Sequence, residues 1–275
     1  MTEESIGILQ NVIKLIKQNI SMAIVIFCCL AFLQGCASTP KKDDSDYDPV
    51  DPHEKFNRAS YDFTDKIDRE IFVPVVNAYI DYVPDEAQRS IGNFYDNLSY
   101  PNVALNSFLQ GKVKQGAEDT LRFAVNSTIG MFGLFDMATH MGLKKNDEDF
   151  GQTLGVWGVT PGSYLFIPLI GPSNQRDVTN IPVGLFTNVL FYAGLAVGTY
   201  FAAPLTILGA IDKRARLIGP MRIRDEAAID PYLFVREASL QQREYLIYDG
   251  NPPLDLYHEP FQDNPFEKDS KKNKL

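Results

Sequence analysis

Residues 178–211 read VTNIPVGLFTNVLFYAGLAVGTYFAAPLTILGAI, a run of 34 positions without a charged side chain, of which 22 are apolar. A soluble helix usually carries a charged face, and about 18 consecutive apolar residues already suggest a membrane span. Polar residues, glycines and two prolines interrupt the run, among them Asn188, Gly198 and Pro204. The pattern predicts helices that lie in lipid without forming one continuous span.

The same interruptions affect how such a chain is exported. Each apolar residue contributes about −0.3 to −0.6 kcal/mol to membrane insertion, so a few polar, glycine or proline residues change the outcome. We therefore expect residues 178–211 to cross an inner membrane and not to stop in it. The alternative that length and composition leave open is a helical hairpin buried in a soluble core.

The preceding residues 150–175 are also uncharged, and they contain five glycines and three prolines. Such a segment does not form one continuous helix, and irregular backbone at membrane depth is stable only inside protein or beside a water-filled cavity. We infer a segment of an amphipathic channel wall. Asp212, Lys213, Arg214 and Arg216 end the apolar run, either at the membrane interface or as an ordinary charged helix terminus.

The rest of the sequence predicts a mainly α fold. Asp51 as N-cap, Pro52 at the first helical position and Glu54 at the third form a possible capping box. Pro74, Pro84 and Pro101 are placed as the first-turn prolines of further helices. Residues 251–275, which are rich in Pro, Asn and Lys, are expected to form a disordered periplasmic tail.

A lipoprotein signal is predicted at the N-terminus. An apolar run that ends in Leu33-Gln34-Gly35-Cys36 is typical of a lipobox, which makes residues 1–35 a signal peptide and Cys36 the lipidated residue. Cleavage before Cys36 removes the other two cysteines, Cys28 and Cys29, and residues 36–50 then form a flexible tether. A plain cleaved signal and a single N-terminal anchor helix are the alternatives.

Composition excludes several classes of function. The net charge of −9 argues against nucleic-acid binding and against binding to anionic lipid through a cluster of basic residues. The three histidines, His53, His140 and His258, show no metal-ligand spacing, and no nucleophile elbow or phosphate-binding loop occurs. Asp136 and Asp177 are conceivable acids of a hydrolase, but a helix cap and an ion pair are the more common roles for such residues.

Several short blocks follow one another between residues 51 and 250, and together with the lipobox they resemble the MlaA (VacJ) family of phospholipid-transport lipoproteins. The main blocks are Asp51-Pro52-x-Glu54-x-Phe56-Asn57-Arg58, Asn93-Phe94, Leu109-Gln110-Gly111, Arg122-Phe123-x-x-Asn126, Phe150-Gly151-Gln152-Thr153-Leu154-Gly155, Gly171-Pro172-Ser173 and Asp230-Pro231-Tyr232.

The resemblance implies a single helical, ring-like domain over residues 51–250, embedded in one leaflet of the outer membrane, with Gly/Pro-rich irregular segments. It implies removal of mislocalised phospholipid from the outer leaflet through an amphipathic channel to a soluble periplasmic carrier. A trimeric outer-membrane porin is the implied partner. No catalysis and no cofactor are implied, apart from the diacylglycerol and N-acyl chain on Cys36. The alternatives are a structural or adhesin-like envelope lipoprotein and, less favoured, a lipid-acting hydrolase.

Moving a charged headgroup through hydrocarbon is costly, so a transport path needs polar groups with apolar flanks. The candidates for channel or headgroup contacts are Gln152, Thr153, Tyr164, Ser173, Asn174 and Arg176. The candidates for lipid-facing positions are Leu190 and Leu195.

Overall fold

The structure, a computed structural model, describes residues 48–253. The predicted signal peptide, Cys36, most of the tether and the predicted tail from residue 254 onward lie outside the described residues. The first half contains helices α1 (Glu54–Ile67), α2 (Val73–Tyr82), α3 (Asp85–Leu109), α4 (Val113–Thr128), α5 (Met137–His140) and α6 (Phe150–Val156), with a π-helical turn at Asp68–Phe72. The second half contains strands β1 (Tyr164–Ile167) and β2 (Gly171–Asn174), a 3-10 turn at Asp177–Thr179, and helices α7 (Asn180–Thr187), α8 (Val189–Val197), α9 (Thr199–Arg216), α10 (Ile218–Ala227) and α11 (Pro231–Ile247).

The predicted mainly α fold is confirmed. In the described residues the two short strands pair as an antiparallel hairpin, with Tyr164 opposite Asn174 and Ile167 opposite Gly171. The long helix α3 packs against α4, α6, α7, α8 and α9, so it links the first half of the chain to the apolar helices of the second half.

The predicted capping box at the start of α1 is wrong. The helix begins at Glu54 with His53 in the N-cap position and no side-chain cap. Asp51 is instead buried, and it accepts a 2.7 Å hydrogen bond from Nδ2 of Asn57 and a further one from the hydroxyl of Tyr232. A long-range buried partner thus replaces the local backbone partner that the sequence pattern suggested.

The prediction for the three prolines is correct in part. Pro74 lies in the first turn of α2. Pro84 is the N-cap residue of α3, and Pro101 lies inside α3 without ending it. A proline inside a helix costs about 3 kcal/mol, so packing of α3 against five other helices must offset this cost.

The apolar run 178–211 forms three helices, α7, α8 and the first part of α9. The first break lies at Asn188, whose Oδ1 accepts hydrogen bonds from the backbone of Leu190 (2.8 Å) and Phe191 (3.3 Å). The second lies at Gly198, whose φ of +92° suits glycine. Within the described residues, no single helix is long and apolar enough to span a membrane, whereas Asp177–Thr187 and Val189–Ala196 together are, with a 44° bend.

The alternative of a hairpin buried in a soluble core is wrong for α7 and α8. Helix α7 has no buried residue, and none of the side chains described for α8 is buried. Phe186 is 64% exposed and Leu195 is 70% exposed. Large exposed apolar patches mark surfaces that contact lipid or another protein.

The interior of the protein is unusually polar. Among the described residues, more polar and charged side chains than apolar ones are buried. The buried polar or charged residues are Asp51, Asn57, Ser60, Asn97, Asn106, Ser107, Asp119, Arg122, Asn126, Glu148, Gln152, Thr153, Asn174, Arg176, Asp177, Asp212 and Arg224. Buried polar groups are costly unless they find partners, and most of these groups do.

The best-connected of these groups is Arg122, which is fully buried in α4. Its guanidinium donates to the hydroxyl of Tyr100 (2.8 Å), to Oδ1 of Asp136 (2.8 Å) and to the carbonyl oxygen of Leu143. The Asp136 carboxylate also caps α5, where it accepts from the backbone of Thr139. One side chain therefore fixes α3, α4, α5 and the loop after α5.

Replacing Arg122 by Met should lower the free energy of unfolding by about 3–5 kcal/mol, because the partly buried Asp136 carboxylate loses its main counter-charge and the hydrogen bonds of the buried guanidinium are lost. Urea unfolding in detergent micelles measures this loss. The matched control is Arg89→Met, since Arg89 is exposed and pairs with an exposed Glu86, and it should cost less than about 1 kcal/mol. Equal effects of the two substitutions would contradict the role given to Arg122.

The stability should also fall in acid through Asp136. Burial alone raises the pKa of this carboxyl, but hydrogen bonds from Thr139 and Asn126 and the charge of Arg122 outweigh it and hold the pKa well below its usual range. The resulting stabilisation is complete above the unfolded-state pKa of about 3.9 and is lost as the pH falls towards the folded-state value. Asp136→Asn should therefore flatten the pH dependence of stability below about pH 4, as measured by urea unfolding; an unchanged slope would refute this assignment.

Candidate functional site

The predicted contacts Gln152 and Thr153 lie in α6, and both are buried. Thr153 donates to Oδ1 of Asn106 (2.9 Å) and accepts from Nε2 of Gln110 (3.2 Å). Oε1 of Gln152 is buried without a hydrogen-bond partner among the described residues. In this conformation Thr153 joins α6 to α3, while Gln152 offers a free acceptor inside the protein.

The remaining predicted contacts lie in and just after the hairpin. Tyr164 and Asn174 are opposed ends of the two strands and are buried, whereas Ser173 is half-buried. Asn174 donates to Asp177 (2.7 Å), and Arg176 forms an ion pair with Asp177 (2.8 Å). No single described cavity brings all six candidate side chains together, so lipid contact at these positions stays a prediction.

The two predicted lipid-facing residues differ in exposure. Leu195 on α8 is largely exposed, and Leu190 is half-buried, where it lines a small uncharged cavity with Leu98 and Asn102 of α3. Leu195 is therefore the cleaner probe of a lipid-facing surface.

A different set of residues forms an amphipathic cavity of about 320 Å³ between α1, the hairpin and the helices α9 and α10. Apolar side chains make up much of its wall, and several charged groups share it. Its lining comprises Tyr61, Thr64, Asp65, Ile67, Asp68, Phe72, Phe166, Leu169, Ile170, Gly171, Pro172, Ala210, Lys213, Arg214, Leu217, Met221, Arg224 and Val235. We call this the amphipathic cavity.

Two helical faces bring these residues together. Positions 61, 64, 65, 68 and 72 follow one face of α1 and the π-helical turn, and positions 210, 213, 214 and 217 follow one face of α9. In the sequence, Lys213 and Arg214 stand out only as part of a charge cluster. Their three- and four-residue spacing with Ala210 and Leu217 is the signal that would have assigned them to one face.

The cations of the amphipathic cavity differ in their partners. Arg214 forms a bidentate ion pair with Asp68, with both distances 2.7 Å. Arg224 pairs with Asp65 (2.8 Å) and Asp225 (2.7 Å). Lys213 is exposed, and it has no ion pair with any described residue, so its ammonium group is available to an anionic ligand.

Two titratable groups in the wall of this cavity, Arg224 and Tyr61, keep their ordinary protonation states near neutral pH. Burial alone lowers the pKa of Arg224, but the hydrogen bond with Asp225 and the neighbouring charges outweigh it, and the net shift is upward. Burial is also the main reason why the pKa of Tyr61 is raised. The tyrosine therefore stays neutral and the guanidinium stays charged near neutral pH.

The size and chemistry of the amphipathic cavity suit part of an amphiphile. Its 320 Å³ corresponds to about ten water molecules at roughly 30 Å³ each, which is room for an anionic headgroup but not for two acyl chains. Leu169 and Ile170 at the hairpin turn are 60% and 63% exposed. They provide an apolar rim along which chains can remain outside.

A second cavity, of about 630 Å³, lies between α3 and α9 and has a different character. Arg216 bridges Asp96 (2.8 Å) and Asp212 (2.8 Å), and Lys145 also contacts Asp96 (3.4 Å). These charges pair with one another, so the second cavity is a weaker candidate for a lipid headgroup than the one that holds Lys213.

A mainly helical protein with a polar interior, an uncharged exposed apolar surface and a cationic amphipathic cavity has the features of a membrane-associated lipid-handling protein. Residues 49–246 match the family model for the MlaA lipoprotein. The chain belongs to this family.

Relatives and a solved structure agree with that assignment. The chain is 34% identical over 224 residues to the intermembrane phospholipid transport system lipoprotein MlaA of Escherichia coli, covering 79% of this chain and 85% of that protein. It is 33% identical to an uncharacterized protein of Rickettsia bellii, covering 70% and 75%. A structure described as the basis for maintenance of bacterial outer membrane lipid asymmetry matches with a TM-score of 0.62 and 33% identity, covering 72% of this chain and 98% of that chain.

Charge introduced at Leu195 should weaken membrane residence. A Lys in hydrocarbon costs about 3 kcal/mol, which corresponds to about a hundredfold lower partition coefficient. Flotation with phospholipid vesicles measures this for Leu195→Lys in a Cys36→Ser chain produced without residues 1–35, which has neither the signal peptide nor the acyl anchor.

The control for that experiment is Tyr82→Lys in the same Cys36→Ser chain. Tyr82 is also strongly exposed, but it lies between Asp81 and Asp85, so a lysine there should leave partition almost unchanged. Equal partition of all three chains would refute the lipid-facing assignment of α8.

Proposed function

We propose that this protein is an outer-membrane lipoprotein that removes mislocalised phospholipid from the outer leaflet and passes it to a soluble periplasmic carrier. The observation that carries the proposal is the amphipathic cavity, in which Lys213, a lysine without an ion pair to any described residue, shares the wall with the exposed apolar residues Leu169 and Ile170. Family membership supports the same function, since a relative is named as part of an intermembrane phospholipid transport system.

In the proposed mechanism the cavity lowers the cost of moving a headgroup. A phosphate leaving water loses its solvation, and a charge-assisted hydrogen bond from the Lys213 ammonium replaces part of it. Arg214 and Arg224 line the same cavity, but their charges stay paired with Asp68 and with Asp65 and Asp225. The acyl chains stay on Leu169, Ile170 and the neighbouring apolar surface, so no bond is made or broken.

The location and partners are finer parts of the proposal. We place the protein in the periplasmic leaflet of the outer membrane, held by acyl chains on Cys36 and by the exposed surface of α7 and α8. Two weak membrane attachments together give stable residence. A trimeric porin in the membrane and a soluble lipid carrier in the periplasm are the proposed partners.

Two observations weigh against the hydrolase alternative. Asp136, one of the two conceivable acids, is held by Arg122 and caps α5. Asp177, the other, forms ion pairs with Arg176 and Arg243, each at 2.8 Å. Both carboxylates therefore have structural partners, and the polar interior accounts for them without a reaction.

Lys213→Glu should impair lipid removal in cells. Loss of a charge-assisted hydrogen bond of about 1.5–3 kcal/mol corresponds to roughly tenfold to a hundredfold weaker headgroup binding. A deletion strain should expose phospholipid at its surface and become sensitive to SDS with EDTA. The wild-type gene and Lys213→Arg should restore the barrier, and Lys213→Glu should restore it poorly.

The matched control is Lys55→Glu, which makes the same charge change at an exposed lysine of α1 that does not line the cavity. It should complement as well as the wild type. If Lys213→Glu complemented fully at equal protein level, the headgroup site would be wrong; if deletion left the outer leaflet normal, the transport function would be wrong.

A further inference from the structure

The loop between α4 and α5 displays an apolar cluster that the proposed transport path does not use. Residues 129–135 read IGMFGLF, and no charged residue occurs between Arg122 and Asp136. Five large side chains of this apolar loop are exposed, with Phe132 the most exposed at 77%. The others are Ile129, Met131, Leu134 and Phe135.

The backbone of the apolar loop has an unfavourable conformation. Met131 has a φ of +52° and Phe132 a φ of +61°, in the left-handed region that side chains other than glycine, asparagine and aspartate rarely adopt. Two adjacent bulky residues held there are a strained arrangement, and strain of this kind is commonly found at functional sites.

Backbone hydrogen bonds and close packing against α3 hold the loop in this conformation. The backbone N–H of Phe132 donates to Ser127, that of Gly133 donates to Asn126 (2.8 Å), and that of Phe135 donates to Gly130 (3.0 Å). A Cβ atom at Gly133 would lie 2.4 Å from Cβ of Asn97, so only glycine fits against α3 there. The loop is therefore a rigid projection, and its exposed apolar side chains do not result from loose packing.

The composition of the apolar loop fits lipid better than protein. The residues that carry most of the binding energy in protein interfaces are enriched in Trp, Tyr and Arg, and leucine is under-represented among them. The exposed side chains here are only Ile, Met, Phe and Leu, and they have no hydrogen-bonding group. Hydrocarbon chains require none, whereas a typical protein interface carries about ten direct hydrogen bonds.

The position of the loop relative to α7 and α8 also favours lipid as its binding partner. The loop packs on α3 at Asn97, and α7 is joined to α3 by a 2.9 Å hydrogen bond from Thr187 to Asn102. Five residues of helix separate these two attachment points, a rise of about 7.5 Å. This is less than the roughly 15 Å hydrocarbon depth of one leaflet, so one leaflet can accommodate both elements.

We propose that residues 129–135 insert as a rigid wedge into bilayer hydrocarbon and form a second lipid-contacting element, separate in the chain from α7 and α8. The proposal rests on the membrane residence that the proposed function requires. Its consequence is that the protein is held at two points across α3, which fixes its orientation in the leaflet and does not merely tether it.

Tryptophan quenching by brominated acyl chains tests this directly. The chain has one tryptophan, Trp157, and Trp157→Phe provides a silent background. In that background, Phe132→Trp should lose more than half its emission when the full chain binds vesicles of phosphatidylethanolamine and phosphatidylglycerol with brominated chains. Non-brominated vesicles of the same headgroups should instead shift its emission to the blue.

Two further variants separate the possible outcomes. Tyr82→Trp, at an exposed position beside Asp81 and Asp85, should not be quenched. Leu195→Trp should be quenched if α8 lies in lipid. Quenching at 195 but not at 132 would overturn the wedge and leave the proposed function intact, whereas quenching at neither position would overturn both. Met131→Trp repeats the measurement at the neighbouring exposed residue, in case Phe132→Trp does not fold.

Discussion

Most of the buried polar side chains in this protein bind one another, and these pairs determine how its helices are arranged. With much of its apolar area turned outward, the protein fills its interior with charged and amide side chains, and each of them needs a partner. The partners come from distant parts of the chain. Asn57 of α1 donates to the carbonyl of Tyr164 and accepts from the N–H of Phe166, while Arg243 of α11 binds Asp149 before α6. Such bonds position helices that an apolar core would otherwise hold.

A polar interior combined with exposed apolar side chains explains how one chain can contact both water and lipid. The uncharged helices α7 and α8 can leave their side chains exposed because the polar network, and not their burial, holds the fold together. The breaks at Asn188 and Gly198 keep the apolar run from forming one long helix. The amphipathic cavity combines charged and apolar groups, with Lys213 and the apolar side chains of the hairpin turn in its wall. A phospholipid needs both, a charged group for its headgroup and apolar side chains for its acyl chains.

The sequence predicted the parts of the fold that depend on local chemistry. The absence of charge in residues 178–211 and the interrupting Asn188 and Gly198 were sufficient to predict broken apolar helices. It failed where a long-range contact overrides a local preference, as at Asp51, which binds Tyr232 and does not cap α1. It also failed at Pro101, which packing keeps inside a helix. The amphipathic cavity was missed because its residues come from separate segments, although the spacing of Lys213, Arg214 and Leu217 marks one of its walls.

We propose that this polar-cored protein holds phospholipid through its headgroup while it remains in a membrane. The test is native mass spectrometry of the full chain after extraction from membranes in mild detergent. We expect about one phospholipid per chain, retained by the wild type and largely lost by Lys213→Glu. A wild-type protein that carries only detergent under conditions that preserve its fold, or a Lys213→Glu variant that retains phospholipid as well as the wild type, would contradict it.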